Sequence, residues 1–184
     1  MKQNAPDTEI KCTLCMFNDV IEFRFINKDI DALKLMSYNE YSPDSLTALY
    51  DAIGASFNKL DGIMNPGDKG FVAIFTDGYE NCSRKFSGED IQQLFDRSKD
   101  RNVEVSFFCR NEDATHHKAD LNLNEDQILG ISLNNEGLNL MEDRICYRMQ
   151  SIMAFDSSQF FYRKFMPKNP VIMDNDLEDT EEKG

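Results

Sequence analysis

The sequence predicts an α/β fold with a mostly parallel β-sheet, one antiparallel edge strand, and helices on both faces of the sheet. The first observation behind this is that short apolar runs of strand length, such as residues 71–75, alternate with longer segments of helical periodicity, such as residues 46–60. The second is that a further helix and a further strand follow between residues 87 and 109. A repeated order of helix and strand is typical of parallel strands joined by right-handed crossovers.

Composition fits a globular domain and excludes several classes of protein. The 184 residues are 41% hydrophobic and include 14 Phe, enough for one substantial core. No apolar run approaches the roughly 18 residues of a membrane span, and residues 1–6 contain no apolar signal-peptide core. The five cysteines are odd in number and scattered, as expected of reduced thiols. We therefore expect a cytoplasmic protein without a membrane partner. The net charge of −13 also argues against a nucleic-acid partner.

The chain opens with a predicted β-hairpin. Residues 10–17 and 20–26 are strand-like and are separated by the turn-prone pair Asn18-Asp19. This hairpin is expected to place the antiparallel strand at the edge of the parallel sheet. Cys12 and Cys15 are spaced like half of a zinc or redox motif, but positions three apart on a strand face opposite sides of the sheet. We therefore interpret both cysteines as packing residues.

Residues 46–60 are predicted to form an amphipathic helix, with Asp44 or Ser45 as its N-cap. Its first turn would present Thr47 toward the strand ends, where free backbone N–H groups favour anions. The apolar run 71–75 ends abruptly at Asp77, which the strand would deliver to the sheet edge. In open α/β sheets, ligands bind at such strand ends.

The second half of the chain continues the alternation. A helix capped at Ser87 and a strand at 103–109 are followed by the polar segment 111–120, which holds both histidines. If this segment is helical, its acids and histidines fall in two pairs on two faces, Asp113 with His117 and His116 with Asp120. It is either a His/Asp metal site or a polar helix-loop on the surface.

The last predicted helix covers residues 137–154, and its apolar positions form a core stripe. That stripe consists of Leu138, Met141, Ile145, Met149 and Ile152. Residues 160–166 form a basic aromatic segment that either docks on the core as a last strand or helix or provides an exposed contact. Residues 174–184 hold six acids and one Lys, as is typical of a solvated, disordered end.

Two motifs in order resemble the von Willebrand factor A (vWA) domain in its small intracellular bacterial and phage form. The first is Ser-Pro-x-x-x-Thr-Ala-Leu-Tyr-Asp-Ala-Ile-Gly at 42–54, and the second is Phe-Thr-Asp-Gly-Tyr-Glu-Asn-Cys-Ser-Arg-Lys at 75–85. The resemblance covers roughly residues 9–153. It implies a Rossmann-like sheet and divides the chain into an N-terminal lead (1–8), a vWA-like domain (9–166) and an acidic tail (167–184).

The resemblance also implies a metal-ion-dependent adhesion site (MIDAS), at which Mg²⁺ or Mn²⁺ is completed by an acidic side chain of a protein partner. By position, Thr47 and Asp77 match two of the family's ligand-bearing loops. The third loop, Asp-x-Ser-x-Ser, does not occur in the sequence. This chain therefore resembles a vWA domain without its first βα unit, which normally contributes a central strand and most direct ligands. One hydroxyl and one carboxylate would hold Mg²⁺ only weakly.

These observations favour a protein–protein interaction module over an enzyme. The module would bind an acidic group of its partner through a weak or incomplete metal site at Thr47 and Asp77. The alternative is a structural or assembly subunit, an oligomer or hetero-complex, in which another chain completes the degenerate site and the open sheet edges. A Mg²⁺-dependent hydrolase is less favoured, because phosphoryl transfer needs several positioned acids and only Asp77 stands out.

Overall fold

A computed structural model describes residues 9–34 and 46–153 of the chain, without the side chain of Met153. These residues form a mixed α/β structure with two separate sheets. The strands and helices are, in order, β1 (Lys11–Phe17), β2 (Ile21–Asp29), α1 (Leu49–Ile63), β3 (Gly70–Phe75), α2 (Gly88–Asp100), β4 (Val103–Arg110), α3 (Ala114–Asp120), β5 (Ile128–Ile131) and α4 (Asn135–Met153). The segments 1–8, 154–166 and 167–184 lie outside the described residues.

The three-stranded sheet is entirely parallel, as predicted, and its strand order is β3-β4-β5. Gly70 pairs with Val103 at the start of β3, and Phe107 pairs with Ile128 where β5 begins. The strand β5 was not predicted, because a four-residue apolar run between polar turns carries too little periodicity to be recognised. All three strands end at one edge of the sheet, so the loops that follow them are neighbours.

The antiparallel hairpin forms as predicted, but its predicted place at the edge of the parallel sheet is wrong. β1 and β2 make a two-stranded sheet of their own. The register shifts on both sides of Leu14, and Asn27 in β2 adopts a positive φ of 51° while its N–H donates to Thr13 Oγ1. Such bulges interrupt the ladder and increase strand twist. The hairpin instead packs against α1.

The core lies on one face of the parallel sheet. Alternate residues of β4, Val103, Val105 and Phe107, are buried in one cluster with Ile53 of α1 and Ile91 of α2. The residues Leu121 and Leu123, which follow α3, join the same cluster. Helices α1, α2 and α3 therefore all pack on this face.

Helix α4 covers the opposite face. It contacts all three parallel strands, and its Arg148 pairs at 3.8 Å with Glu104, whose side chain alternates with the core residues of β4. The predicted apolar stripe of α4 is wrong at its first position, because Leu138 is 47% exposed. Helices thus lie on both faces of the sheet.

The helix starts show which local predictions hold. Ser87 caps α2 in a reciprocal capping box with Asp90, as its sequence indicates. Helix α1 begins at Leu49 rather than at residue 46, and its N-cap is Ala48, which offers no side-chain oxygen. The predicted caps, residues 44 and 45, lie outside the described residues. Thr47 therefore precedes α1 instead of lying in its first turn.

The cysteines behave as packing residues. All five are free thiols in this structure. Cys12 and Cys15 are half-buried on β1, and burial raises the pKa of both thiols. Cys109 is 2% exposed, and burial raises its pKa to about 11. Protonated thiols are poor metal ligands and weak nucleophiles.

A pair of glycines in α1 tests how closely the loop after β3 packs on this helix. A Cβ on buried Gly54 would lie 2.5 Å from the ring of Phe86, whereas a Cβ on Gly62 would meet nothing within 4 Å. We expect Gly54→Ala to lower the free energy of unfolding by about 1–3 kcal/mol, since overpacking displaces Phe86. Urea denaturation measures this change.

The matched control is Gly62→Ala. This substitution gains helix propensity without a clash, so we expect it to raise the free energy of unfolding by about 0.5 kcal/mol. Equal effects of the two substitutions would contradict the close packing of Phe86 on α1.

Candidate functional site

The turn after β3 presents Asp77 to solvent. The Thr76 hydroxyl donates to the carbonyl of Gly78 at 3.0 Å and accepts from its N–H at 3.3 Å, which closes the turn. Asp77 is exposed, and no described residue forms a hydrogen bond or ion pair with its carboxylate. The turn therefore presents a carboxylate whose oxygens are open to a ligand.

Thr47 lies against this same turn. A Cβ on Gly78 would be only 3.0 Å from Thr47 Oγ1, so the lack of a side chain at Gly78 allows the hydroxyl to approach. Asn81 fixes the backbone of Thr47 from both sides. Its Oδ1 accepts from the Thr47 N–H at 2.8 Å, and its own N–H donates to the Thr47 carbonyl at 3.1 Å. The structure thus places both predicted ligand residues on adjoining loops at the carboxyl edge of the sheet.

The predicted free N–H groups at the start of α1 are not free. Tyr50 N–H donates to Glu80 Oε2 at 3.0 Å, and Asp51 N–H donates to Ser83 Oγ at 3.0 Å. The loop after β3 folds over the helix start and supplies the caps that Ala48 cannot. The prediction that this helix start favours an anion is therefore wrong, because an internal carboxylate already occupies it.

Glu80 organises this loop as well as capping the helix. Its Oε1 accepts from the N–H groups of Cys82 at 2.8 Å and Ser83 at 2.7 Å. The Ser83 hydroxyl donates to Oε2 at 2.7 Å. One carboxylate thus satisfies the loop and the positive end of α1 together.

Asp51 fastens the next part of the loop from the helix side. It is 7% exposed, and its carboxylate accepts from the N–H groups of Arg84 at 2.9 Å, Lys85 at 2.8 Å and Phe86 at 2.8 Å. Burial by itself would raise the pKa of Asp51, but these three donors favour the charged form and leave the pKa below its ordinary value. A buried carboxylate with three donors holds the loop rigidly against α1.

A second cluster lies beside Asp77 and includes both histidines. The Tyr79 ring lies 4.7 Å from the ring of His116 and 5.5 Å from that of His117. The His117 ring also lies 5.0 Å from Phe107, in the core. His117 is 1% exposed and its Nε2 has no hydrogen-bond partner, whereas His116 is exposed.

Asp113 is the charged member of this cluster. It is 1% exposed, and its Oδ2 accepts from Arg110 Nε at 2.6 Å. Burial opposes its ionisation, but hydrogen bonds from Tyr79 and Arg110 outweigh that effect and lower the pKa of Asp113. The same bond to Asp113 raises the pKa of Tyr79. Five residues of the segment 111–120 are exposed, as the surface helix-loop alternative predicts, but Asp113 and His117 are buried beneath them.

In the other predicted pair, His116 and Asp120, the acid has other partners. The Tyr50 hydroxyl donates a hydrogen bond to Asp120 Oδ2, and Gln92 Nε2 donates to the Asp120 carbonyl at 2.7 Å. Burial and the bond to Asp120 both raise the pKa of Tyr50. Asp120 therefore joins α1, α2 and α3. Within residues 9–34 and 46–153, no three His, Cys, Asp or Glu side chains converge as a metal site would require.

Three residues of this edge were not predicted: Asp51, Tyr79 and Glu80. None of the three carried a signal, and Asp51 lies about 200° around the helix from Leu49, opposite the apolar face that was predicted to be buried. A buried acid requires hydrogen-bond donors. The donors themselves lie in a loop without periodicity, so the sequence did not locate them.

A comparison with models of protein families, with curated proteins and with solved structures finds no match to this chain. No helix in the described part of the chain is long and apolar enough to cross a membrane. The cytoplasmic location stays a prediction.

The Asp51 bonds predict a specific loss of stability. We expect Asp51→Ala to lower the free energy of unfolding by about 2 kcal/mol, since three loop N–H groups lose a charged acceptor. Urea denaturation at neutral pH measures the change. The control, Asp96→Ala, removes an exposed carboxylate paired only with Lys99 at 3.2 Å and should change stability by less than about 0.5 kcal/mol. If Asp51→Ala lowered the free energy of unfolding as little as Asp96→Ala does, the proposed role of Asp51 in holding the loop would be contradicted.

Because His117 is a buried titratable side chain, we expect the free energy of unfolding to depend on pH. Burial, with a smaller contribution from His116, lowers its pKa in the folded chain, while Asp113 and Asp120 partly oppose that shift and Arg110 adds to it. The unfolded chain therefore binds the extra proton more readily. The contribution of neutral His117 is fully present above the unfolded pKa of about 6.5 and is lost as the pH falls from there through the folded pKa.

The test compares urea stability at pH 7.5 and pH 5.5. We expect His117→Phe, which replaces the buried ring without a titrating group, to lose less stability on acidification than the parent chain. His116→Phe, at the exposed neighbour, should retain most of the parent's pH dependence. If His117→Phe and the parent respond equally to pH, His117 is not the titrating group.

Proposed function

We propose that this chain is a protein–protein interaction module that binds an acidic side chain of its partner through Mg²⁺ or Mn²⁺ at Thr47 and Asp77. The observation that carries the proposal is the contact of the Thr47 hydroxyl with the turn that bears Asp77. A hydroxyl and an unpaired carboxylate on adjoining loops are oxygen ligands of the kind that hard divalent cations prefer.

The incomplete ligand set supports a partner's participation. Thr47 and Asp77 fill two of about six coordination positions of Mg²⁺, so waters and a partner carboxylate have room to bind. The helix start beside them already holds Glu80, so an anionic partner gains nothing from the helix dipole. A bridging cation supplies the attraction that this acidic edge lacks.

The paired motifs at 42–54 and 75–85 also support assignment to the vWA family, including its Rossmann-like sheet and adhesion site. The assembly-subunit alternative makes a different prediction, an oligomer or hetero-complex, which the mass of the particle in solution tests. The Mg²⁺-dependent hydrolase has less support, because phosphoryl transfer needs several positioned acids. Besides Asp77, an exposed carboxylate here without a described partner is that of Asp19, in the hairpin turn whose Asn18 carbonyl accepts from Ala48 N–H.

The metal site is tested by adding Mn²⁺ to the ¹⁵N-labelled chain, because this ion broadens NMR signals near its binding site. We expect the amide signals of Thr47 and Gly78 to broaden first in the parent chain and to remain sharp in Asp77→Asn. A sub-millimolar concentration should suffice for signals this close to a weak site.

The matched control is Asp100→Asn, an exposed acid at the end of α2 near the opposite edge of the sheet. This variant should respond to Mn²⁺ like the parent. Equal broadening of Thr47 and Gly78 in all three chains would overturn the proposed site, as would broadening confined to the acidic residues 174–184.

A further inference from the structure

The strand β3 has an open edge. It pairs with β4 on one side and with no other described strand. Gly70 N–H donates to the Asn102 carbonyl and Thr76 N–H to the Phe108 carbonyl, so even-numbered residues of this segment point toward β4. Phe71, Ala73 and Phe75 therefore direct their N–H groups away from β4, and no described residue accepts a hydrogen bond from them.

In composition, β3 resembles an interior strand more than a protected edge strand. Gly70–Phe75 contains no charge and no proline, whereas natural edge strands are usually protected by such residues. Phe71, Val72 and Ala73 are half-buried, although the equivalent residues of β4 are mostly buried. A strand placed beside β3 would satisfy three N–H groups and cover an apolar surface.

The direction of the chain indicates where the next strand belongs. From β3 through β4 to β5, the connecting helices α2 and α3 pack on the core face of the sheet. Helix α4 packs on the other face. Parallel crossovers are right-handed, so the face on which a connecting helix packs sets the direction in which the chain moves across the sheet. Helices on the core face move the chain from β3 toward β5. A helix on the α4 face therefore moves it back from β5 toward β3. The free position in that direction is the edge of β3.

The end of α4 lies at the correct point for this return. Lys69, which immediately precedes β3, donates from Nζ to the Ile152 carbonyl at 2.8 Å. The chain therefore leaves α4 beside the beginning of β3. A following strand would start there and run parallel to it.

The sequence after α4 supplies a segment of suitable length and composition. Between α4 and such a strand, residues 154–159 would leave six residues, including Asp156-Ser157-Ser158, which is within the usual length of helix-to-strand loops. Residues 160–166, Phe-Phe-Tyr-Arg-Lys-Phe-Met, are rich in aromatic residues that favour strands, and Pro167 would end the strand.

We propose that residues 160–166 pair in parallel with the open edge of β3 in the same molecule and make it an interior strand. Three observations support this occupant over a second copy or another protein. They are the placement of α4 on the face opposite the core, the contact of its last turn with Lys69, and the unpaired N–H groups of β3. The pairing requires no metal at Thr47 and Asp77.

Residue-resolved hydrogen exchange of the full chain in metal-free buffer tests the pairing. In the parent chain, the amides of Phe71, Ala73 and Phe75 should exchange slowly. Tyr162→Pro and, in a second variant, Arg163→Pro remove N–H groups that face opposite sides of the added strand. One of the two therefore breaks the pairing, and in that variant those three amides should exchange at least about tenfold faster. Val72 and Ile74, which point toward β4, should change much less and show that the rest of the sheet remains folded.

Leu177→Pro, in the acidic tail, is the matched control and should leave all five amides unchanged. Rapid exchange of Phe71 and Ala73 in the parent would show that the edge is unoccupied and would overturn the proposal. Protection that survives both Tyr162→Pro and Arg163→Pro would also overturn it, because another segment would then be the occupant. Protection that rises with protein concentration, together with a doubled mass, would identify a second copy instead.

Discussion

The arrangement of the carboxyl edge depends on the buried carboxylate of Asp51. Its three hydrogen bonds from Arg84, Lys85 and Phe86 hold the loop after β3 against the start of α1. Glu80, Asn81 and Ser83 attach the earlier part of the loop to the start of α1, and the Asp51 carboxylate is what holds the later part, 84–86. Desolvating a carboxylate is costly, and only the full set of donors offsets that cost. Thr47 lies beside the Asp77 turn because Asn81, in the same loop, bonds the backbone of Thr47 from both sides.

The same loop decides the electrostatic character of the edge. Helix starts commonly attract anionic ligands, but here Glu80 and Ser83 accept the first N–H bonds of α1. Accessible charges that remain here without a described partner include those of Asp77 and, in the adjoining hairpin turn, Asp19. The backbone donors at this edge are already occupied, and its unpaired carboxylates are exposed. Such an edge attracts cations directly, and it can bind an anion only through a bound cation. This is why the proposed function assigns the partner's acidic side chain to a bridging metal.

The sequence predicted the elements better than their assembly. The apolar runs and the Ser87 capping box located β1, β3, β4 and α2 because each is a local pattern. The separation of the hairpin from the parallel sheet was not predictable, because periodicity locates strands but does not show which strands pair. At the site, motif order located Thr47 and Asp77, but not Asp51 or Glu80. Their partners are backbone N–H groups, which every residue type except proline provides.

The uncharged strand β3 has a further consequence for the chain before folding is complete. Its six residues, Gly-Phe-Val-Ala-Ile-Phe, have the apolar, proline-free composition of segments that associate between molecules as intermolecular β-structure. Exposed charges flank them closely, Asp68 and Lys69 on one side and Asp77 on the other. Charges in such positions act as gatekeepers against aggregation. On this argument we expect Asp77 to limit aggregation of the unfolded chain, an effect that requires neither a cation nor a partner.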